Sequence, residues 1–320
     1  KRVVLDEGKD LVQASANHYY KGVTQEEVEK FYGEKKKENA LLSWGLNSTL
    51  VRDEKGQLQE QVWFAGGKYG KEIRRIVEYL KKSAEYACNE HQKEVIELLI
   101  QYYETGDLSL FDRYSIEWVK EVAAPIDFIN GFIEVYGEII SYNNALQMNI
   151  KRKLADNAMW FERNAPIDER FKKSEVVGIT ARVVQAAMLG GDCHPATPIG
   201  INLPNAEWIR ERYGSKSVTL DNITYAYDRA SLNSGVLDEF AYSDEEKELV
   251  RTYGYVGGNV HTDLHECLGH GSGKMLPGVG QEALKNYYST IEEARADLFA
   301  LYYVMDPKLV ELGVIPSLEV

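Results

Sequence analysis

Two histidines and two glutamates in the last fifth of the chain are residue types that bind a divalent metal and move a proton. His265 is followed directly by Glu266, and His270 stands five positions after the first histidine. Zinc peptidases commonly hold the metal with two His on one helical face, while a Glu beside the first His reaches the metal-bound water. The third ligand is typically a carboxylate from another segment, and Glu293 fits that role. The set predicts a zinc-dependent peptidase with Glu266 as general base.

The spacing of the two histidines is one residue longer than in the common zinc helix. At about 100° per residue, a step of five turns His270 roughly 140° away from His265, so a regular α-helix would aim the two rings apart. A single-turn π-bulge absorbs one extra residue, and Gly269 tolerates an unusual backbone better than any other residue. The sequence therefore predicts a bulged zinc helix.

A second acidic cluster follows, in a stretch with helical periodicity over residues 289–304. Asp297 stands one helical turn beyond Glu293, on the same predicted face. A ligating imidazole usually donates its other N–H to a carboxylate, and Asp297 and Glu292 are the two candidates for that support. A competing interpretation stays open, because Ser289 to Glu292 and Thr290 to Glu293 are both capping-box patterns of a helix start.

Three other metal-binding residue types have alternatives of their own. His261 stands four residues before His265, an orthodox spacing for a metal pair, but no Glu follows it directly. Cys267 is predicted to face away from His265 as a core thiol. Cys193 and His194 form a possible soft-metal pair, although such a pair in a Gly/Pro-rich loop is more often structural.

The composition limits the partners and the compartment. With 37 basic and 50 acidic residues the net charge is −13, which disfavours nucleic acid and anionic membrane surfaces. Three cysteines without paired spacing indicate a reducing compartment, so we expect a cytoplasmic protein. We expect no membrane partner, because no apolar run reaches the roughly 20 residues that a spanning helix needs. The chain begins without Met, and we expect it to be a piece of a longer protein.

The periodicity predicts several elements around these residues. Strands over 49–51 and 58–64 flank a turn at 53–56, which predicts a hairpin, and two amphipathic helices follow it. Residues 190–205 are rich in Gly, Pro and Asn and predict an irregular loop that enters a helix at 206–213, followed by a short strand over 218–223. The polar run 34–39 predicts a solvated loop. The apolar stretch 124–142, interrupted by Asp127 and Glu134, is typical either of a core element that carries these acids to a cleft or of an element with solvated acids on one face.

Two runs carry a resemblance to a known family. The residues 265–274, His-Glu-Cys-Leu-Gly-His-Gly-Ser-Gly-Lys, and 292–297, Glu-Glu-Ala-Arg-Ala-Asp, resemble the two zinc motifs of the dipeptidyl peptidase III family. The run 200–205 is similar to that family's substrate-binding loop, and 131–134 resembles a segment of its cleft wall. The similarity runs from about residue 91 to the end of the chain.

The resemblance implies an exopeptidase that uses one Zn²⁺ to release dipeptides from the free N-terminus of oligopeptides. It implies that Asp127 anchors the substrate ammonium and that the amides of Asn202 and Asn205 pair with the peptide backbone. Each residue also has a plainer interpretation, since Asn beside Pro is common in turns and Asn205 is placed to cap the following helix. Two other functions stay open: a peptide-binding module without turnover, and a zinc aminopeptidase that removes single residues.

The fold that the resemblance implies is α+β and predominantly helical, with two lobes across a cleft. The mixed α/β lower lobe, with the substrate anchors, is expected over residues 1–147 and 186–235. The helical zinc-binding upper lobe is expected over residues 148–185 and 236–320. The oligomeric state is not predicted.

Overall fold

The computed structural model describes residues 4, 6, 8–132, 139–143, 145–176, 179–193 and 197–320. Its fold is α+β and mostly helical, as predicted. The contacts divide the chain into two compact units, Lys1–Ala124 with Ala206–Ile209, and Pro125–Asn205 with Arg210–Val320. Among the described helices, none combines the length and apolarity required of a membrane span.

The elements of the chain up to residue 124 are α1 (Leu11–Ala14), β1 (Tyr20–Lys21), α2 (Gln25–Glu38), β2 (Ser48–Arg52), β3 (Leu58–Val62), α3 (Gly70–Ala84), α4 (Glu90–Thr105) and α5 (Leu108–Lys120). The predicted hairpin is confirmed, since β2 and β3 pair antiparallel with Ser48 opposite Val62. In its turn the Asp53 carboxylate accepts bonds from two backbone N–H groups, and Gly56 takes a φ of 77°. The two predicted helices are α3 and α4.

The run 34–39 is not the predicted loop, because all but its last residue belong to α2. The helix is fixed from its other end, where Thr24 and Glu27 form a reciprocal capping box. Lysines 35–37 then occupy the last turn, where the helix dipole favours positive charge. A polar composition describes the solvent exposure of this run correctly but not its backbone.

The elements after residue 124 are β4 (Ile126–Ile129), β5 (Ile139–Asn143), α6 (Ala145–Asp156), α7 (Ala158–Asn164), β6 (Ile179–Leu189), β7 (Gly200–Leu203), α8 (Glu207–Tyr213), β8 (Ser215–Leu220), α9 (Asp221–Leu232), α10 (Val236–Phe240), α11 (Asp244–Asp263), α12 (Tyr288–Tyr303) and α13 (Pro307–Glu311). Five strands form one sheet in the order β4-β5-β6-β8-β7, in which only β6 and β8 run parallel. The strand β7 therefore lies at an edge of the sheet.

Two predictions for this sheet need correction. The loop predicted over 190–205 contains β7, which periodicity cannot show because all four of its residues are buried and no alternation appears. The strand predicted over 218–223 is β8 at Ser215–Leu220, because α9 already begins at Asp221. Of the stretch 124–142, β4 carries Asp127, while Glu134 lies outside the described residues.

The helical core of the second unit lies directly behind the histidine motif. Leu264 and Leu268 are buried against residues of α12, among them Phe299 and Tyr303. The Tyr303 hydroxyl donates to the Phe161 carbonyl of α7 at 2.7 Å, which ties the two helices together. One side of the motif is thus fixed by apolar packing, and the other side carries the polar chemistry.

The compact units and the lobes expected from the resemblance divide the chain at different residues. Strands β4 and β5, expected in the lower lobe, pair through β6 with the sheet that also holds β8. All of them belong to the unit that contains the histidine motif. The interleaved lobes stay a prediction.

Candidate metal centre

The backbone of the histidine motif is a π-helical turn over Leu264–Gly269, which continues α11. The His270 N–H donates to the His265 carbonyl at 3.0 Å, a step of five residues instead of four. The bulge predicted from the spacing is confirmed. It brings the two imidazole rings to 4.8 Å between centroids, with their planes 88° apart.

A glycine is needed at position 269 because Ala296 of α12 packs close against it, more than because of the backbone conformation of Gly269 itself. A Cβ atom at Gly269 would lie 2.8 Å from the carbonyl oxygen of Ala296 and 2.9 Å from its Cα. Any side chain there would therefore push α12 away from the π-helical turn. Since α12 carries Glu293, this glycine sets how closely the two helices approach.

Three side chains converge at this point: His265, His270 and Glu293 each offer a ligand atom, and these atoms all lie within 4.8 Å of one another. The Glu293 carboxylate lies 3.3 Å from Nε2 of His265 and 3.8 Å from Nε2 of His270. In a tetrahedral zinc site with bonds of about 2.0–2.1 Å, neighbouring ligand atoms are about 3.4 Å apart. The arrangement fits a zinc ion of the two-histidine, one-glutamate type.

In each histidine, the ring nitrogen Nδ1, which does not face Glu293, lies beside a different carboxylate. Nδ1 of His265 lies 3.0 Å from Asp297, and Nδ1 of His270 lies 3.0 Å from Glu292. A proton held on Nδ1 leaves Nε2 with the lone pair that a metal requires. Both acids singled out in the sequence therefore lie where they can orient the rings.

Glu292 is fixed in turn by Arg295, which contacts both of its carboxylate oxygens at 2.6 and 2.8 Å. Burial raises the pKa of the Glu292 carboxyl, but the hydrogen bonds from His270 and Arg295 outweigh burial and lower the pKa to about 2. Glu292 therefore stays an anion and an acceptor.

The capping interpretation of the acidic pair is not met. Helix α12 starts at Tyr288 with Tyr287 as N-cap, and no side chain caps it. Ser289 and Thr290 already lie inside the helix, so Glu292 and Glu293 are free to face the histidines instead.

Glu266 lies half-buried beside the first histidine and is approached by the edge strand β7. A Cβ atom at Gly200 would lie 2.8 Å from the Glu266 carboxylate oxygen, so only glycine fits there without moving the acid. The Asn202 Nδ2 group donates to the Glu266 backbone carbonyl at 2.8 Å. The contact of Gly200 was not predicted, because it joins residues 66 positions apart.

The three predicted substrate anchors differ in their surroundings. Asn202 is buried, and its Oδ1 has no hydrogen-bond partner in the described part of the chain. Asn205 is exposed, two residues before α8. Asp127 lies in β4 and pairs at 3.0 Å with the fully buried Lys216. The Asp127 carboxylate is thus already committed to neutralising a buried ammonium, which no local sequence pattern indicates.

Of the alternative metal-binding residues that the structure describes, none is part of the convergence. His261 approaches Asp297 at 3.6 Å but is not part of the ligand cluster. Cys267 is fully buried in the helical core, and burial raises the pKa of its thiol to about 12. It is a core thiol, as predicted. Cys193 is buried, while His194 lies outside the described residues.

The fold and the site define a class of proteins in which two histidines on a bulged helix and a glutamate from a second helix converge on one point. The family model of peptidase family M49 matches residues 21–288, so this chain belongs to peptidase family M49. This confirms the resemblance noted in the motifs.

Relatives agree with this assignment. The chain is 27% identical over 290 residues to dipeptidyl peptidase 3 of Mus musculus, covering 77% of this chain and 38% of that protein. The Homo sapiens protein of the same name gives the same identity and coverage. The chain thus spans about two fifths of the length of these relatives.

Solved structures share the fold. The structure of DPP III from Caldithrix abyssi superposes with a TM-score of 0.74 at 24% identity, covering 99% of this chain and 63% of that one. Dipeptidyl-peptidase III from Corallococcus sp. strain EGB gives 0.76 at 21% identity, covering 93% and 57%. At these identities the likeness supports the fold alone.

Proposed function

We propose that this chain carries the zinc centre of a peptidase that releases dipeptides from the N-terminus of oligopeptides. The observation that supports this most is the convergence of His265, His270 and Glu293 within 4.8 Å, directly beside Glu266. Membership of peptidase family M49 supports a peptide substrate. The release of dipeptides follows the names of the relatives, all considerably longer than this chain.

The donor set favours zinc as the metal. Two neutral imidazoles and one carboxylate leave a fourth position open, which is the usual arrangement of catalytic zinc. When bound there, the metal would lower the pKa of a water molecule and polarise the peptide carbonyl. Asp297 and Glu292 would hold the two rings with Nε2 towards the metal, as their contacts of 3.0 Å allow.

Glu266 would act as the general base. Its carboxylate would take the proton from the attacking water and deliver it to the leaving amine. Gly200 leaves room for that carboxylate, and the bond from Asn202 to the Glu266 carbonyl holds the backbone beneath it. Proton transfer needs hydrogen-bond reach, so this backbone support bears directly on the rate.

The edge strand β7 supports an extended peptide as substrate. An edge strand offers backbone N–H and C=O groups to an added strand. The exposed Asn205 offers an amide to such a peptide, and the pairing of Asn202 with the peptide backbone stays a prediction. For Asp127 the pair with Lys216 favours a structural role, and the ammonium anchor stays a prediction.

A second function, a peptide-binding module without turnover, stays an alternative. Such a module would bind zinc and peptide but would release no product. The cytoplasmic location stays a prediction from cysteine usage.

One experiment separates these functions. The purified chain, loaded with zinc, is incubated with a hexapeptide, and the products are identified by mass spectrometry with and without a chelator. We expect dipeptides that disappear with the chelator and return with added zinc. Release of single residues would indicate an aminopeptidase, and zinc binding without any product would indicate the binding module.

A further inference from the structure

A buried carboxylate that takes no part in the proposed chemistry lies behind the histidine motif. Glu162 of α7 is only 1% exposed. Its Oε1 accepts the Lys173 N–H at 2.6 Å, and the Gly273 N–H lies 3.1 Å from Oε1 and 3.0 Å from Oε2. A carboxylate is costly to bury unless hydrogen bonds compensate the charge. These backbone N–H groups provide the compensation, and they belong to two separate loops.

One of these loops follows the second histidine directly. Gly273 stands three residues after His270, and the intervening carbonyls are held from other sides. Lys173 donates to the Gly271 carbonyl at 2.7 Å. Arg295 donates to the Ser272 carbonyl at 3.2 Å and to its hydroxyl at 2.7 Å. The segment 271–273 is thus fixed at every residue.

Arg295, which holds Ser272, also supports the proposed metal ligand His270. Arg295 also holds Glu292, whose carboxylate lies 3.0 Å from Nδ1 of His270. His270 is therefore held through its ring by Glu292 and through its following backbone by Glu162. Outer groups of this kind orient a metal ligand without touching the metal, and their loss typically weakens metal binding about 10-fold to 100-fold.

We propose that Glu162 is a positioning residue for the zinc ligand His270, acting through the segment 271–273. The proposal rests on the proposed zinc site. In Glu162→Gln one acceptor oxygen becomes an NH2 group and the negative charge is lost, so the Gly273 N–H and the backbone that follows His270 are held more weakly. The imidazole then spends more time away from the metal, so zinc is released faster. A purely structural Glu162 would lower the stability of the fold and leave zinc release unchanged.

The first unit offers a matched control of the same chemistry. Glu121 is 6% exposed and accepts the backbone N–H groups of Ala123 at 3.2 Å and Ala124 at 3.1 Å. It is a buried carboxylate that binds backbone N–H groups, and these two partners, like Glu121 itself, belong to the first unit. Glu162→Gln and Glu121→Gln make the same chemical change in the two places.

The experiment measures zinc release from the full 320-residue chain into an excess of a chromogenic chelator, together with thermal melting of the metal-free forms. We expect both variants to melt at lower temperature than the wild type. Only Glu162→Gln should release zinc faster, by about tenfold. Equal release rates for Glu162→Gln and the wild type would overturn the proposal, as would a comparable acceleration in Glu121→Gln.

A milder variant covers the case in which Glu162→Gln does not fold. Lys173→Met removes the bond to the Gly271 carbonyl, keeps the backbone N–H that Glu162 accepts, and should accelerate zinc release in the same direction, by a smaller factor. Wild-type release from a folded Lys173→Met would then overturn the proposal. A wild-type chain that binds no zinc would instead contradict the proposed function itself, so the two failures are distinguishable.

Discussion

Buried charge is distributed very differently in the two compact units. Among the described residues of Lys1–Ala124 the buried acidic or basic side chains are Asp112 and Glu121, and the core is built from apolar and tyrosine side chains of α3 to α5. The second unit buries six acidic or basic side chains among its described residues: Lys151, Glu162, Arg182, Lys216, Asp221 and Asp263. Burying charge stabilises a fold poorly, but it fixes geometry. The unit that carries the candidate metal centre buries more such side chains than the first unit does.

Replacement of Glu266 by Gln should have the largest effect, because it removes the proton acceptor and keeps the shape. We expect zinc to remain bound and hydrolysis to fall about 10³-fold. The measurement is the rate of dipeptide release alongside the zinc content. The exposed Glu169→Gln serves as control and should leave both quantities unchanged. Retained hydrolysis in Glu266→Gln would refute the assignment.

The comparison of the two units can be tested by breaking a buried ion pair of the second unit and measuring the free energy of unfolding. Lys151, fully buried, donates to Thr219 at 2.7 Å and lies 3.4 Å from Asp263, two residues before the first histidine. Lys151→Met leaves the Asp263 charge buried without its cation and should lower the free energy of unfolding by about 3 kcal/mol. The measurement is urea denaturation.

The matched control for that variant lies in the first unit. Lys81→Met removes an exposed pair with Glu104 and should change the free energy of unfolding by less than about 1 kcal/mol. Equal losses of unfolding free energy in Lys151→Met and Lys81→Met would show that the buried pair of the second unit contributes no more than the exposed pair of the first.

Weakening one of the carboxylate contacts that orient the histidine rings should have a smaller effect, seen in the affinity for zinc. Asp297→Asn keeps an acceptor for Nδ1 of His265 but removes the charge that strengthens the bond. We expect zinc affinity to fall about 10-fold. Competition with a chelator of known affinity measures it, and unchanged affinity would show that the ring is oriented by other contacts.

The first unit predicts the smallest effect, and one that depends on pH. Burial raises the pKa of Asp112 to about 7, and the charge of Asp107 adds to the rise. The folded state then resists ionisation, so this carboxyl destabilises the fold increasingly as pH rises from about 4 towards 7 and fully above it. Asp112→Asn should stabilise the chain at pH 8, where the wild-type carboxyl must ionise, and have little effect at pH 4, where the carboxyl is protonated in the folded state. Urea midpoints at the two pH values test this, and a pH-independent change would contradict it.

Local patterns predicted the parts of the molecule that depend on neighbours in the chain. The hairpin β2–β3, the helices α3 and α4, and the π-helical turn each follow from spacing over a few residues. The acids at 292 and 297 could be singled out because helical periodicity places them near Glu293.

The remaining features depend on contacts between distant segments. The carboxylate of Glu162 meets the Gly273 N–H across 111 positions, and Lys216 meets Asp127 across 89. No sequence periodicity connects residues so far apart in the chain. In the sequence alone, each of these charged residues resembles an ordinary surface charge. The strand β7 was missed for a related reason, since burial of all four residues removes the alternation that marks a strand.

The most direct test of the metal centre is the zinc content of the purified chain after dialysis, measured by mass spectrometry for the wild type, His265→Ala, His270→Ala and Glu293→Ala. We expect about one zinc per wild-type chain and a large loss in each variant, while His261→Ala keeps the wild-type content. A wild type without zinc, or variants that all retain it, would show that these three residues do not hold the metal.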